Sequence, residues 1–131
     1  MTEKKLKVID HIHLNAADFD TAAAFYHALF EALGWKNDVR SGRDWMELDG
    51  FYLGQAEPHA PPTHIHLAFV AHSRNEVEAF HAAALAHGGT SEGAPGLRLL
   101  YNPDFYAAYV RDPDGNKLAV VCRGFTAALD Q

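Results

Sequence analysis

The chain has 131 residues, 48% of them hydrophobic and 21% charged, which suits one globular domain with a buried core. Its 11 Lys and Arg stand against 17 Asp and Glu, and a formal net charge of -6 argues against a surface that tracks nucleic-acid phosphates. No apolar run approaches the roughly 18 residues of a membrane helix. Met1 to Asp10 reads as a polar lead rather than a signal peptide, so a cytoplasmic address is expected. The single Cys122 excludes an intrachain disulfide and a Cys-based zinc site.

Lys7 to Leu14 alternates apolar and polar residues and predicts a strand. His11 and His13 then share one face, and Ile12 and Leu14 the other. Phe19 to Leu33 switches to helical spacing, with Ala22, Phe25, Tyr26, Leu29 and Leu33 in one apolar stripe. Gly34 is placed to end this helix in the left-handed conformation. Trp35 to Arg40, Asp44 to Leu48 and Phe51 to Gly54 read as three short strands, with Asp49-Gly50 as a tight hairpin turn between the last two. That turn pairs Leu48 with Phe51 and Glu47 with Tyr52. Met46, Leu48, Phe51 and Leu53 face the helix, while Trp45, Glu47 and Tyr52 face the opposite side.

Gln55 to Pro62, with Pro58, Pro61 and Pro62, cannot continue a strand ladder and reads as a linker. Thr63 to Val70 is again a strand, and Ser73 with Glu76 forms a capping box before a helix whose inner face carries Val77, Phe80 and Ala84. Gly88-Gly89 ends it. Strand-like stretches follow at Thr90 to Glu92, loosely at Leu97 to Tyr101, and at Phe105 to Arg111 and Lys117 to Cys122. Asp112 to Gly115 reads as a four-residue loop closing the last hairpin. Ala108 then lies opposite Ala119 and Tyr106 opposite Val121, with Leu118, Val120 and Cys122 packed under the helices.

The second half repeats the first. His-Ile-His-Leu occurs at His11 and at His64, 53 positions apart (64 − 11), while Phe25 and Phe80 are 55 apart (80 − 25), as are Gly34 and Gly89. An insertion of two residues reconciles the offsets. The chain therefore reads as an α+β domain of two βαβββ modules at 7–55 and 63–123, joined by a linker at 56–62 and followed by a tail at 124–131.

This order, with Asp10-His11-Ile12, Thr63-His64-Ile65-His66-Leu67-Ala68-Phe69 and the stretch from Phe105 to Asn116, resembles the vicinal oxygen chelate superfamily. That group holds glyoxalase I, the extradiol dioxygenases, the fosfomycin-resistance enzymes and the bleomycin-resistance binding proteins. The resemblance implies paired curved half-sheets with the helices outside and a cavity within, and often a homodimer. It also implies a divalent metal held by a His from the first strand of each module and a Glu from the last strand. His11 and His64 match the two His positions. Where relatives often carry Glu, Gly115-Asn116-Lys117-Leu118 leads to Ala119, whose methyl group coordinates nothing.

Three readings stay open for the histidines. In the first, His11 and His64 hold zinc, iron, manganese or nickel with Glu47, His13 or His66 in place of the lost carboxylate. The chain is then a metal-dependent lyase, isomerase or dioxygenase on a small oxygenated metabolite, with Glu47 moving the proton. In the second the cavity needs no metal, and His13, His66, Trp45, Tyr52, Tyr101 and Tyr106 contact a sequestered small molecule. The acidic balance points that reading toward cationic ligands. In the third the imidazoles are ordinary polar residues of a sheet face. Arg98 and Arg111 could meet an anionic substrate, though a solvated arginine is the default reading for each. Cys122 reads as a small core residue.

Overall fold

The computed structural model describes residues 9–124, so the beginning of the expected first strand at Lys7 and the tail beyond Gly124 lie outside the described residues. Strands β1 (Ile12–Ala16), β2 (Arg40–Ser41), β3 (Trp45–Leu48) and β4 (Phe51–Gln55) form one sheet in the order β1-β4-β3-β2, and α1 (Phe19–Ala32) follows β1. The second half holds β5 (His66–Val70), α2 (Arg74–Ala86), β6 (Thr90–Leu97), β7 (Tyr106–Arg111) and β8 (Lys117–Cys122), ordered β5-β8-β7-β6. In both sheets the first strand runs parallel to the last and the other pairings are antiparallel. The duplication is thus a repeated topology. No helix among the described residues is long and apolar enough to cross a membrane.

Local chemistry sets the elements. The Asp18 carboxylate accepts from the Thr21 N–H at 3.3 Å to start α1, and the Ser73 hydroxyl accepts from the Glu76 N–H at 3.0 Å to start α2. Glu76 Oε1 in turn accepts from the His72 N–H at 2.8 Å, closing a capping box around α2's start. Asp49 and Gly50, at φ 47° and 87°, make the tight turn that puts Leu48 opposite Phe51 and Glu47 opposite Tyr52.

The helices bury their apolar stripes against one face of each sheet. Phe25, Tyr26, Leu29 and Phe30 of α1 join Val77, Phe80 and Ala84 of α2, all at most 1% exposed, in a single core with Leu14, Met46, Leu53, Leu118 and Val120. Phe69 of β5 links the halves, with its ring 5.7 Å from both Phe30 and Phe51 and 5.8 Å from Phe80.

A polar latch crosses the same junction. Asp112, 5% exposed, accepts through Oδ2 from the Tyr26 hydroxyl at 2.5 Å and from Asn116 Nδ2 at 2.8 Å. Its Oδ1 accepts the N–H groups of Asp114 and Asn116 at 2.9 and 2.8 Å. Asn116 Oδ1 takes the Ile65 N–H at 2.7 Å, and Asp114 takes the Ala17 N–H at 3.1 Å. The closing Asp-Pro-Asp-Gly-Asn stretch is therefore a structural hub tying a loop of the second module to α1 of the first.

Five expectations are corrected. Trp35 to Arg40 is not a strand; a single 3₁₀ turn at Lys36–Asp38 precedes a two-residue strand. Asn37 and Asp38 disfavour the pleated backbone, and the Asp38 N–H turns back to the Trp35 carbonyl at 3.0 Å. Residues Thr63 to Ile65 stand outside β5, because the Thr63 N–H bonds to Asn15 O and the Ile65 N–H to Asn116. Thr90 to Leu97 is one irregular edge strand with register shifts at Ser91/Gly93 and Gly93/Gly96, where an edge tolerates Pro95. Leu97 to Tyr101 is no strand beyond Leu97, since the Tyr101 N–H returns to Arg98 O in a turn.

The fifth correction moves a side chain to the other face. The last hairpin pairs Arg111 with Lys117 and Tyr106 with Cys122, one residue off the expected register. Asp112 bonds across the loop to Asn116, so the loop has five residues rather than four. A one-residue slip inverts a strand's faces. Tyr106 consequently lies on the helix side, where its hydroxyl donates to Glu78 Oε2 at 2.9 Å and Arg74 stacks 4.9 Å from its ring centre. Tyr109 takes the open face beside Ala119.

Candidate ligand cleft

On the first half-sheet the open face gathers His11, His13, Tyr52, Trp45 and Glu47. Parallel pairing of β1 with β4 sets His13 beside Tyr52, with their rings stacked at 6.2 Å and 15°. His11 meets the same tyrosine edge-on at 5.6 Å, and its Nδ1 is 2.9 Å from Asp10 Oδ2. A Cβ on Gly54 would stand 3.0 Å from His13 Nε2, so the glycine leaves the imidazole its place. Trp45 is 41% exposed on this face, its indole folded over Gly42.

Glu47 is not a free carboxylate. β2 and β3 place it opposite Arg40, whose Nε donates to Oε1 at 2.8 Å, while the Gly50 N–H donates to Oε2 at 2.9 Å. The Gly50 N–H, followed by Arg40, holds its carboxyl below the usual glutamate range. Both oxygens are engaged in fastening β2 and the hairpin turn, and the group is a weak base.

The second half-sheet carries a cleft of about 690 Å³ on its open face. Register makes its floor. Ala68, Ala119, Tyr109 and Gly93 are neighbours across β5, β8, β7 and β6, flanked on one side by His66 and Lys117 and on the other by Val121. Tyr109 is the bulky member of the central row, and Ala119 is 3% exposed beside it. Arg98 and Lys117 approach the Tyr109 ring to 5.4 and 5.6 Å. Burial, followed by the neighbouring Tyr101, raises the Tyr109 pKa, so its phenol keeps its proton.

The guanidinium of Arg98 has a prepared seat. A Cβ on Gly93 would lie 3.3 Å from Nη2 and one on Gly96 would lie 3.0 Å from Nη1, while Nη2 donates to Ala94 O at 2.6 Å. Arg123 also lines the cleft, stacked 4.8 Å from the Phe105 ring, and Tyr101 lies 5.2 Å from Phe105 with 65% of its surface exposed. The cleft's acidic side chain, Glu92, accepts from Arg111 Nε at 3.1 Å.

Apart from Tyr106, the expected site residues therefore fall in three places. His11, His13, Tyr52, Trp45 and Glu47 share the first face; His66 and Tyr101 line the second cleft; His64 lies by the last hairpin, 3.5 Å from the Cβ position of Gly115. Among the described residues no three His, Cys, Asp or Glu side chains are grouped to hold a metal ion. The divalent metal implied by the resemblance does not fit this donor set, with Ala119 apolar and Glu47 engaged elsewhere. Sequence reasoning missed Tyr109 and Lys117. Lys117 was legible as an alternate of the core-facing Leu118, whereas Tyr109 depended on the length of the last loop.

A second cavity, of about 790 Å³, lies at the seam between the modules. Phe30, Leu33, Phe51, Leu67 and Phe69 line it from the helix side, and His11 and His72 stand at its edge. Its lining is largely apolar.

Two βαβββ units with helices on one side and an open sheet face on the other define a glyoxalase-like protein. Residues 8–120 match the Glyoxalase/Bleomycin resistance protein/Dioxygenase superfamily, and the chain belongs to that family. It is similar to a glyoxalase/bleomycin resistance protein from Albidiferax ferrireducens T118, with 32% identity, 89% of this chain and 100% of that chain covered, and a TM-score of 0.73. A glyoxalase-related enzyme from Fulvimarina pelagi is 23% identical over 90% of this chain and 89% of its own, with a TM-score of 0.63. Lactoylglutathione lyase from Agrobacterium tumefaciens is 23% identical over 91% of this chain and 96% of its own, with a TM-score of 0.61. No curated protein matches the chain.

Proposed function

We propose that this protein binds a small organic molecule in the cleft of the second half-sheet, in the manner of the bleomycin-resistance members of its family and without a metal. Ala119 carries the reading. It puts a methyl group on the cleft floor where a metal-holding relative needs a carboxylate, between Ala68 and Tyr109. The engagement of Glu47 by Arg40 and Gly50 supports it further, since among the described residues no carboxylate is grouped with two histidines in its stead. The lyase activity in the name of the Agrobacterium relative is not carried over, because a likeness at 23% identity concerns the fold.

The test is a thermal-shift screen of small organic molecules against protein treated with a chelator and against the same protein resupplied with zinc, iron, manganese or nickel. The reading expects hits whose stabilisation is the same in both arms. Hits that appear only with metal would overturn it. We also propose a homodimer, supported by Ile9, Trp35 and Val70, which are 69%, 41% and 60% exposed around the seam cavity and would be covered by a second copy. Light scattering reads the assembly, and Val70→Lys is expected to release monomers.

A further inference from the structure

We infer that the cleft over β5 to β8 takes an oxyanion, a carboxylate or a phosphate monoester, carried on an apolar body. This rests on the proposed binding site and names its ligand class.

The charge around the cleft runs opposite to the charge of the protein. A chain with a formal net charge of -6 brings Arg98, Lys117 and Arg123 to one small depression whose acidic member, Glu92, is bonded to Arg111. The inference runs opposite to the cationic ligand that the overall charge suggests. Net charge describes the whole surface, whereas a concave site with apolar walls concentrates the field of the side chains at its own rim.

The geometry is specific to an anion. Arg98 is seated against Gly93 and Gly96, positions where even a methyl group would crowd its Nη atoms, so the guanidinium is fixed before a ligand arrives. Lys117 Nζ stands 5.6 Å from the Tyr109 ring centre and makes no ion pair among the described residues, and the Tyr109 phenol adds a protonated hydroxyl to the same wall. A planar oxyanion can accept from a guanidinium in paired fashion and from an ammonium at a point. Ala68, Ala119 and Val121 offer the rest of the ligand an apolar floor. Glutamate in place of Ala119 would set a negative charge beside Tyr109 and on the same strand face as Lys117, so the residue that removes a metal ligand also keeps the floor free of anionic repulsion.

The full-length chelated protein is titrated by calorimetry with three probes of one shape: 1-naphthoate, 1-naphthyl phosphate and the neutral 1-naphthamide. Both anions are expected to bind, with the amide weaker by about tenfold or more and the tighter anion identifying the headgroup. Arg98→Met and Lys117→Met, each checked for folding by circular dichroism, should weaken the anions by about tenfold while leaving the amide unchanged. Equal binding of amide and anions would overturn the anion inference and leave the cleft reading standing. Binding of none of the three would overturn both.

Discussion

The Tyr26 hydroxyl offers a direct check on what joins the two modules. It lies in the core, 0% exposed, and donates at 2.5 Å to a carboxylate that is 5% exposed. Burial first, and the Asp112 charge second, push the Tyr26 pKa well above the usual tyrosine value, so the phenol is a committed donor. Tyr26→Phe keeps the ring, which packs 5.1 Å from Phe25 and 4.9 Å from Phe51, and removes only the hydrogen bond. Asp112 retains the donors of Asn116 and Asp114, so the loss is that of one bond to a charged acceptor, about 1.5–3 kcal/mol. At this chain length each kcal/mol moves Tm by about 4 °C, so calorimetry should report a drop of about 6–12 °C. Urea unfolding should show a lower midpoint at unchanged slope. A change below about 0.5 kcal/mol would refute the latch as a stabilising contact. Asp112→Ala, which strands the Tyr26 hydroxyl and the Asn116 amide without their acceptor, should cost several kcal/mol.

Three further outcomes follow from single sites. A methyl group on Gly89 would come within 2.7 Å of Phe25 Cε2, 2.8 Å of Arg111 O and 2.9 Å of Ala84 O, so Gly89→Ala should lose about 1–3 kcal/mol by urea unfolding, and wild-type stability would contradict the packing described. Glu47, with its native pKa lowered by the Gly50 N–H and Arg40, contributes stability that is fully present above the ordinary glutamate pKa and lost as pH falls through the lower native value. Glu47→Gln should accordingly be less stable than wild type near neutrality, with the difference vanishing as pH falls through the lowered native value. Ala119→Glu should leave affinity for zinc and manganese unchanged in calorimetry, because among the described residues His66 is the one histidine that lines the cleft with that position; a sharp gain would show a surviving metal geometry.

Local signals carried most of the fold. Asp49-Gly50 fixed its hairpin because two positive φ angles admit few residues, and Ser73 with Glu76 marked the start of α2 because their atoms close the cap within one turn. The duplication was legible because each copy repeats its own short-range pattern. Long-range placement was not. Tyr106 and Tyr109 are three residues apart in one strand and must face opposite ways, and the choice between them hung on Asp112 bonding to Asn116 across a five-residue loop. Glu47 was rightly assigned to the open face, yet its partner Arg40 sits on a two-residue strand that has no sequence period to announce it. Arg98 belongs to the cleft because Gly93 and Gly96, just before it in the chain, make room for its guanidinium, and the register shifts of their irregular edge strand follow no sequence period.

The central claim is that this family member holds its ligand site together with its own side chains and no metal. Calorimetric titration of the chelated wild-type protein with zinc, iron, manganese and nickel in turn tests it most directly. The account predicts no tight, stoichiometric uptake of any of the four, since neither Ala119 nor Glu47 is available beside the histidines. One equivalent of any of them bound tightly, and lost on replacing His11 or His64 with Ala, would contradict it.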